Sequence, residues 1–210
     1  MNNTVKIQLD VPREILDITE TLQNKARLPD RQGYLAYLVG GCIRDRLIGR
    51  EPKDWDIATN APPEQIIPLF IKTVYENKFG TVTIVNEETK DEKLKNVEVT
   101  PFRTEANYSD RRHPDEIKFS NKLEDDLSRR DFTINALAYS PDTGELIDLY
   151  GGIKDIEAHA IRTVGEADLR FTEDALRMMR AIRLASELRF TCNKELLDSI
   201  YRNNALIKDI

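Results

Sequence analysis

Two aspartates one residue apart, Asp54 and Asp56, follow a Gly-Gly pair, Gly40 and Gly41, by thirteen residues in the stretch LVGGCIRDRLIGREPKDWDIATNA at 38–61. On an extended strand, residues two apart share a face, so Asp54 and Asp56 project together while Trp55 and Ile57 turn inward. A third carboxylate, Glu98, alternates against Val97 and Val99 in a second strand-like run at 96–102. Three carboxylates make an all-oxygen donor set suited to Mg²⁺. Two such ions can activate an attacking hydroxyl and stabilise the leaving oxygen in phosphoryl or nucleotidyl transfer. Gly40 and Gly41 leave their backbone N–H groups open to a phosphate, the helix that follows adds its positive end, and Arg44 adds a charged contact. Taken singly, each feature is ordinary: D-x-D occurs at turns, Gly-Gly marks a tight turn, and Glu98 alone reads as a solvent-facing strand residue. Their order, strand, Gly-Gly, helix and acidic strand, points to a phosphate seat followed by a metal seat.

The elements that must position these groups follow from periodicity and punctuation. Asp10 as cap and Pro12 in the first turn open an amphipathic helix over 11–26, with Val11, Ile15, Ile18 and Leu22 at helical spacing. A polar loop at 29–33 leads to a buried strand at 34–39, and a short helix at 42–48 ends at Gly49. The acidic strand spans 54–59, Pro62 and Pro63 open a short helix through Phe70, and strands follow at 73–77, 81–85 and 96–102, the last after a charged loop at 86–95. The run RTEANYSDRRHPD at 103–115 has no periodicity and reads as a loop. Short helices are expected at 120–127, capped by Ser120, and at 131–138; a strand at 146–149 and a helix after Gly151-Gly152 come next. The strongest helical pattern runs over 172–188, capped by Thr172, with Leu176, Met179, Ile182 and Ala185 as its inward stripe.

With 210 residues, 40% of them hydrophobic and 32% charged, the chain has material for one good core or two small ones and reads as a globular, cytosolic protein. Its longest apolar run, 34–43, is too short to cross a bilayer, and the N-terminus lacks the layout of a secretory signal. Two distant cysteines, Cys42 and Cys192, and two histidines, His113 and His159, argue against a zinc site or a disulfide framework. A net charge of −6 excludes a generally basic nucleic-acid surface. Local arginine clusters at 103–112, at Arg129 and Arg130, and along 170–189 leave local binding open. Oligomeric state is not written in the sequence.

The segment LVGGCIRDRLIGREPKDWDIAT resembles the signature of the bacterial and eukaryotic class of tRNA nucleotidyltransferases, the CCA-adding enzymes, and of their relatives the bacterial poly(A) polymerases. The resemblance continues in the family's order through RTEANYSDRRHP, EDDLSRRDFTINALAY, GELIDLYGGIKDIEAHAIRTVGEADLRF and TEDALRMMRAIRLASEL, covering 34–190. It implies an α/β (α+β) nucleotidyltransferase head of the polymerase beta-like type with a mixed sheet, residues 1–148, followed by a small, mostly helical neck, residues 149–210. It implies that Asp54, Asp56 and Glu98 hold two Mg²⁺ ions, that Gly40, Gly41 and Arg44 bind the triphosphate, and that Arg130, Asp131 and Asn135 of RRDFTINA contact phosphate or sugar. Asp131 as a cap, or Asn135 bonding one turn back, is the plainer reading of those two residues.

The family's EDxxR motif stands as Glu173, Asp174, Ala175, Leu176 and Arg177. On one helix, Asp174 and Arg177 would share a face and offer an acceptor beside a donor. Cytosine and adenine present an amino donor beside a ring-nitrogen acceptor, whereas uracil and guanine present the reverse, so such a pair would accept C and A. An isolated D-x-x-R is otherwise a surface ion pair. Arg180, one turn on, would bind phosphate or extend the network. Glu105, Tyr108, Asp110, Arg112, His113 and Pro114 resemble the flexible loop that lets CCA-adding enzymes switch from C to A. Leu184 and the DLYGG turn depart from the family's usual residues. Relatives are longer, and the chain stops at Ile210 inside a helical pattern, so it is expected to be a head plus part of a neck. The implied reaction is attack of the tRNA 3′-hydroxyl on the α-phosphate of CTP or ATP, with release of pyrophosphate, in the cytoplasm. The alternatives are an A-only-adding tRNA nucleotidyltransferase, a poly(A) polymerase, or a nucleotide-binding fragment without catalysis.

Overall fold

The computed structural model describes residues 4–24, 33–76 and 79–210. An edge strand β1 (Thr4–Lys6) precedes helix α1 (Arg13–Gln23), which buries Ile15, Ile18, Thr19 and Leu22 at the spacing that makes one apolar stripe. Its N-cap is Pro12 without a side-chain cap bond; Asp10 instead lies 3.5 Å from Arg46. The expected last turn at 25–26 and the loop at 29–32 lie outside the described residues.

Strand β2 (Ala36–Val39) runs through Gly40 into helix α2 (Gly41–Leu47), and β3 (Asp56–Thr59) returns antiparallel to β2. Helix α3 (Pro63–Ile66), with a 3-10 turn at Ile67–Leu69, leads to the hairpin of β4 (Thr73–Glu76) and β5 (Thr81–Val85). The next strand, β6 (Asn96–Pro101), lies between β5 and β3 and pairs with β3 in parallel. A crossover of α3 and two strands makes that parallel pairing possible.

The stretch expected as an open loop contains β7 (Arg103–Ala106) paired antiparallel with β8 (Glu116–Phe119), so it is a hairpin with its tip at 107–115. Phe119 packs where an added Cβ on Gly80 would collide at 2.7 Å, which seats this hairpin on the β4–β5 turn. Helix α4 (Leu123–Ser128) begins two residues later than expected, with Lys122 and not Ser120 at its N-cap. The expected helix at 131–138 is replaced by a 3-10 turn, Thr133–Asn135, and strand β9 (Leu137–Ser140), all four residues of which are buried. β9 lies between β2 and β10 (Glu145–Asp148). A strand buried on both faces reads as an unbroken apolar run, which periodicity cannot separate from a buried helix.

Among the described residues the sheet therefore has eight strands in the order β1-β10-β9-β2-β3-β6-β5-β4, antiparallel except at β3–β6. Leu38, Ile57 and Leu137 face the main core with α1, whereas Val39, Ala58 and Ala138 face a second cluster closed by Phe102, Leu123 and Leu127 of the α4 side.

Helix α5 (Gly152–Glu157) starts where Asp148 gathers four backbone N–H groups: Tyr150, Gly151 and Gly152 donate to Oδ1 and Ile153 to Oδ2, at 2.8–3.2 Å. This carboxylate cap sets the DLYGG turn, with Gly151 at φ +78. The strand β11 (Ala160–Ile161) precedes α6 (Ala167–Glu173) and α7 (Leu176–Leu188), and β12 (Thr191–Cys192) precedes α8 (Lys194–Asn203). The expected single helix over 172–188 is thus two, broken at Asp174 with φ −139 and ψ 102. The buried face of α7 is Met178, Ala181, Leu184 and Leu188, while Met179 and Ile182, expected inside, are about half exposed. Phe171, Met178 and Leu196 join the same core as the sheet, so the hydrophobic interior runs unbroken from α1 into the last helices.

Candidate active site

The strand ladder assembles the carboxylates. Asp56 opens β3 and is the register partner of Glu98 in parallel β6, so the two side chains leave the sheet on one face. Asp54 stands two residues before β3, exposed, and not within a strand as expected; Trp55 between them is 3% exposed and anchors the segment. Asp54, Trp55, Asp56, Thr83, Asn96 and Glu98 line one cleft of about 420 Å³. Burial pushes the Asp56 carboxyl up to about 7, Asp54 adds to this, Arg130 opposes it, and Glu98 and Asp126 push it further. A set of acids that raises one of its own members in this way is chemically suited to a cation, and its donors are oxygens. Among the described residues no three His, Cys, Asp or Glu side chains are close enough as they stand to hold a metal ion. Side-chain rotation would have to complete the set.

Gly40 is the hinge of the site. It sits at φ +80, ψ −136, and its N–H donates to Leu137 O at 3.3 Å. An added Cβ would lie 3.0 Å from Arg130 Nη1 and 3.7 Å from Asp56 Oδ2, so the missing side chain keeps the acid and the guanidinium facing one another across open backbone. Gly41 begins α2, and a Cβ there would meet Arg44 Nη2 at 3.5 Å. Beneath the turn, Cys42 Sγ donates to Val39 O, and burial pushes its thiol up to about 12, which leaves it an inert packing residue.

Arg44 is buried and fully engaged. Its Nε and Nη2 donate to Asp45 Oδ1 at 2.9 and 2.7 Å, and its Nη1 donates to Asn135 Oδ1 at 2.6 Å. Asn135 Nδ2 donates back to Asp131 Oδ1 at 3.2 Å, as its plainer reading had it, whereas Asp131, whose Oδ1 also accepts from Phe132 N, caps no helix: the 3-10 turn that follows has Phe132 at its N-cap without a side-chain bond. Asp131 Oδ2 accepts from Arg180 Nε and Nη2 at 2.8 and 2.6 Å. Burial drives Asp131 up, but Arg180, Asn135 and the Phe132 N–H outweigh it and hold the carboxyl below its ordinary value. One continuous chain of bonds, Arg180–Asp131–Asn135–Arg44–Asp45, thereby ties α7 to α2.

Arg130 is held from behind by Asp126, a fully buried acid of α4 that sequence reasoning passed over. The signal available was the pair of aspartates, Asp125 and Asp126, one turn before two arginines, which on a helix face each other.

The EDxxR residues are arranged differently from expectation. Asp174 lies in the break before α7 and its Oδ1 accepts from Leu176 N at 2.9 Å, as a cap would. Arg177 is buried; Nη1 donates to Glu173 Oε2 at 2.7 Å, Nη2 to Arg129 O at 3.2 Å, and Nε is 3.9 Å from Asp174. The two therefore do not present a matched pair from one helix face. The β7–β8 hairpin reaches this break: Ala175 N donates to Arg111 O at 3.0 Å. On β7, one pair from the tip, Glu105 accepts from Arg103, Arg129 and the Tyr108 hydroxyl, and His113 stacks on Phe79 with centroids 6.3 Å apart.

Residues 36–162 match the family described as the poly A polymerase head domain. The chain belongs to that family. Among similar curated proteins, the CCA-adding enzyme of Geobacillus thermodenitrificans is 48% identical over 182 residues, spanning 86% of this chain and 43% of that protein. The crystal structure of the Bacillus stearothermophilus CCA-adding enzyme in complex with CTP superposes with a TM-score of 0.80 at 42% identity, over 94% of this chain and 45% of that one. A tRNA nucleotidyltransferase complexed with a primer tRNA and an incoming ATP analog matches with a TM-score of 0.65 at 28% identity, over 82% of this chain and 47% of that one. The chain spans less than half the length of the curated relatives it matches. Family members generally use divalent metal ions. Among the described residues no helix is long and apolar enough to cross a membrane.

Proposed function

We propose that this chain carries the catalytic head, residues 1–148, and a helical neck, residues 149–210, of a cytoplasmic tRNA nucleotidyltransferase that adds C and A from CTP and ATP to the tRNA 3′ end. The observation that carries this reading is the cleft of Asp54, Asp56 and Glu98 opening beside the Gly40 turn, in a chain of this family. Asp54, Asp56 and Glu98 would hold two Mg²⁺ ions, which when bound supply polarisation of the α-phosphate and activation of the attacking 3′-hydroxyl. Gly40 and Gly41 leave backbone room for the triphosphate, and Arg130 supplies a positive group across that turn. Arg44 keeps α2 fixed on Asn135, and Asp131 and Asn135 face the sugar and phosphates from the same network. Asp174 offers an acceptor to the amino group of cytosine or adenine; for Arg177 to supply the neighbouring donor, it must exchange Glu173 for the base.

A tRNA ending just before CCA, incubated with the protein, Mg²⁺, CTP and ATP, should grow by a defined CCA. Asp54→Ala and Asp56→Ala should each abolish incorporation while preserving the circular dichroism spectrum. Near-normal turnover in both variants would overturn the assignment, and long A-tracts on unrelated RNA would establish the polyadenylating alternative instead.

A further inference from the structure

We propose that Asp126 is a positioning residue that aims Arg130 at the nucleotide's phosphates and couples that aim, through Arg129, to the β7–β8 hairpin. The inference rests on the nucleotide-binding reading above. Asp126 is 0% exposed and is not among the residues lining the carboxylate cleft, so its hydrogen-bonded link to the site runs through its partners.

Both of its oxygens are occupied by guanidinium edges. Oδ1 accepts from Arg129 Nε at 3.1 Å and from Nη2, and Oδ2 accepts from Arg130 Nε at 3.2 Å and Nη2 at 2.8 Å. A two-pronged, charge-assisted contact of this kind fixes the plane of each guanidinium as well as its position. For Arg130 the consequence is directional. With Nε and Nη2 anchored behind, Nη1 is left on the side of the Gly40 turn, 3.0 Å from where a Cβ would stand, with Asn135 O 3.5 Å away. For Arg129 the remaining nitrogen points the other way: Nη1 donates to Glu105 Oε1 at 3.1 Å, on β7 of the hairpin, while its carbonyl accepts from Arg177. One buried carboxylate shared by two arginines cannot change its hold on one without changing its hold on the other. The hairpin and the Gly40 turn are thus joined by four side chains, Glu105, Arg129, Asp126 and Arg130.

The test is calorimetric titration of Mg²⁺–CTP and Mg²⁺–ATP into the wild-type protein, D126N and D126E, with the Arg130 Nε–Hε resonance followed by NMR. D126N should bind both nucleotides at least tenfold more weakly and by the same factor, because the phosphates are common to the two. D126E, which keeps the charge, should recover to within about threefold of wild type, whereas a merely structural site would not distinguish these variants at matched melting temperature. Nucleotide binding by folded D126N within twofold of wild type would overturn the positioning role while leaving the nucleotide site intact. A wild-type protein without saturable CTP binding would overturn the underlying reading as well. Should D126N fail to fold, Glu105→Gln decides: the hydrogen bonds of Glu105 go to Arg103, Arg129 and Tyr108, yet the Arg130 resonance must move and CTP affinity must fall. An unmoved resonance overturns the coupling.

Discussion

Replacing Gly40 by alanine tests how the site is built. At φ +80 and ψ −136 an L side chain is strained, at a cost on the order of 1–3 kcal/mol. The added methyl would also stand 3.0 Å from Arg130 Nη1. That nitrogen must retreat by a few tenths of an ångström, yet its guanidinium is pinned on the buried Asp126, so the shift is resisted and about another 1 kcal/mol follows. A total of about 2–4 kcal/mol corresponds to a fall in melting temperature of roughly 5–15 °C for a protein of this size. Gly41→Ala is the matched control. It lacks the positive φ, its Cβ would make an ordinary 3.5 Å contact with Arg44, and it opens a helix, so its stability should stay within about 1 kcal/mol of wild type. Thermal unfolding of the three proteins by circular dichroism, with Mg²⁺–CTP titrated into each, separates the positions. Affinity should fall for Gly40→Ala because the methyl enters the space between Arg130 and Asp56. If the two variants melt within about 2 °C of each other, the argument from Gly40 is wrong.

Other expectations follow from the same physics. Arg129 and Arg103 outweigh burial and hold Glu105 below its ordinary 4.5, so its folded value is depressed; the stabilisation is present above that ordinary value and is lost as pH falls through the folded one. Denaturant unfolding between pH 6 and pH 3 should therefore lose stability less steeply in Glu105→Gln. Asp148→Ala strands four backbone donors at the start of α5 and should cost about 1–3 kcal/mol by urea denaturation, with the far-UV spectrum otherwise retained. On α7, Leu184→Ala should cost about 2–4 kcal/mol and Ile182→Ser under about 1 kcal/mol in the same assay; the reverse ranking would restore the stripe read from periodicity.

The parts of the fold that were legible in the sequence are those in which polar and large apolar residues alternate. The alternation around Trp55 and Ile57, and around Val97 and Val99, placed Asp56 and Glu98 on the face of their strands opposite the main core. Strand β9 was not legible, because Leu137–Ser140 is buried on both faces and has no alternation to read. The hairpin of β7 and β8 was missed for the opposite reason: its residues are largely exposed, and only the long-range register pairs it. On α7 two apolar rows lie one residue apart, and the choice between Met178 and Met179 is made by what packs against the helix. In the candidate site, residue types predicted the acids and glycines. Partnerships such as Arg44 with Asn135, 91 positions apart, depend on tertiary contacts that no local pattern encodes.

The parallel ladder between β3 and β6 bears on how this site fails. Asp56 faces Glu98 only because the two strands meet in one register, and a slip of one residue would swing Glu98 to the underside and bring Val97 or Val99 up beside the aspartate. Such a slip would drive a carboxylate into the space now filled by Val97 and Val99, both 0% exposed, at a cost that a marginally stable domain does not survive. The alternation that seats the core thus doubles as a quality check on the acidic pair: a misaligned chain would be removed as unfolded before it could persist as a folded but inactive protein.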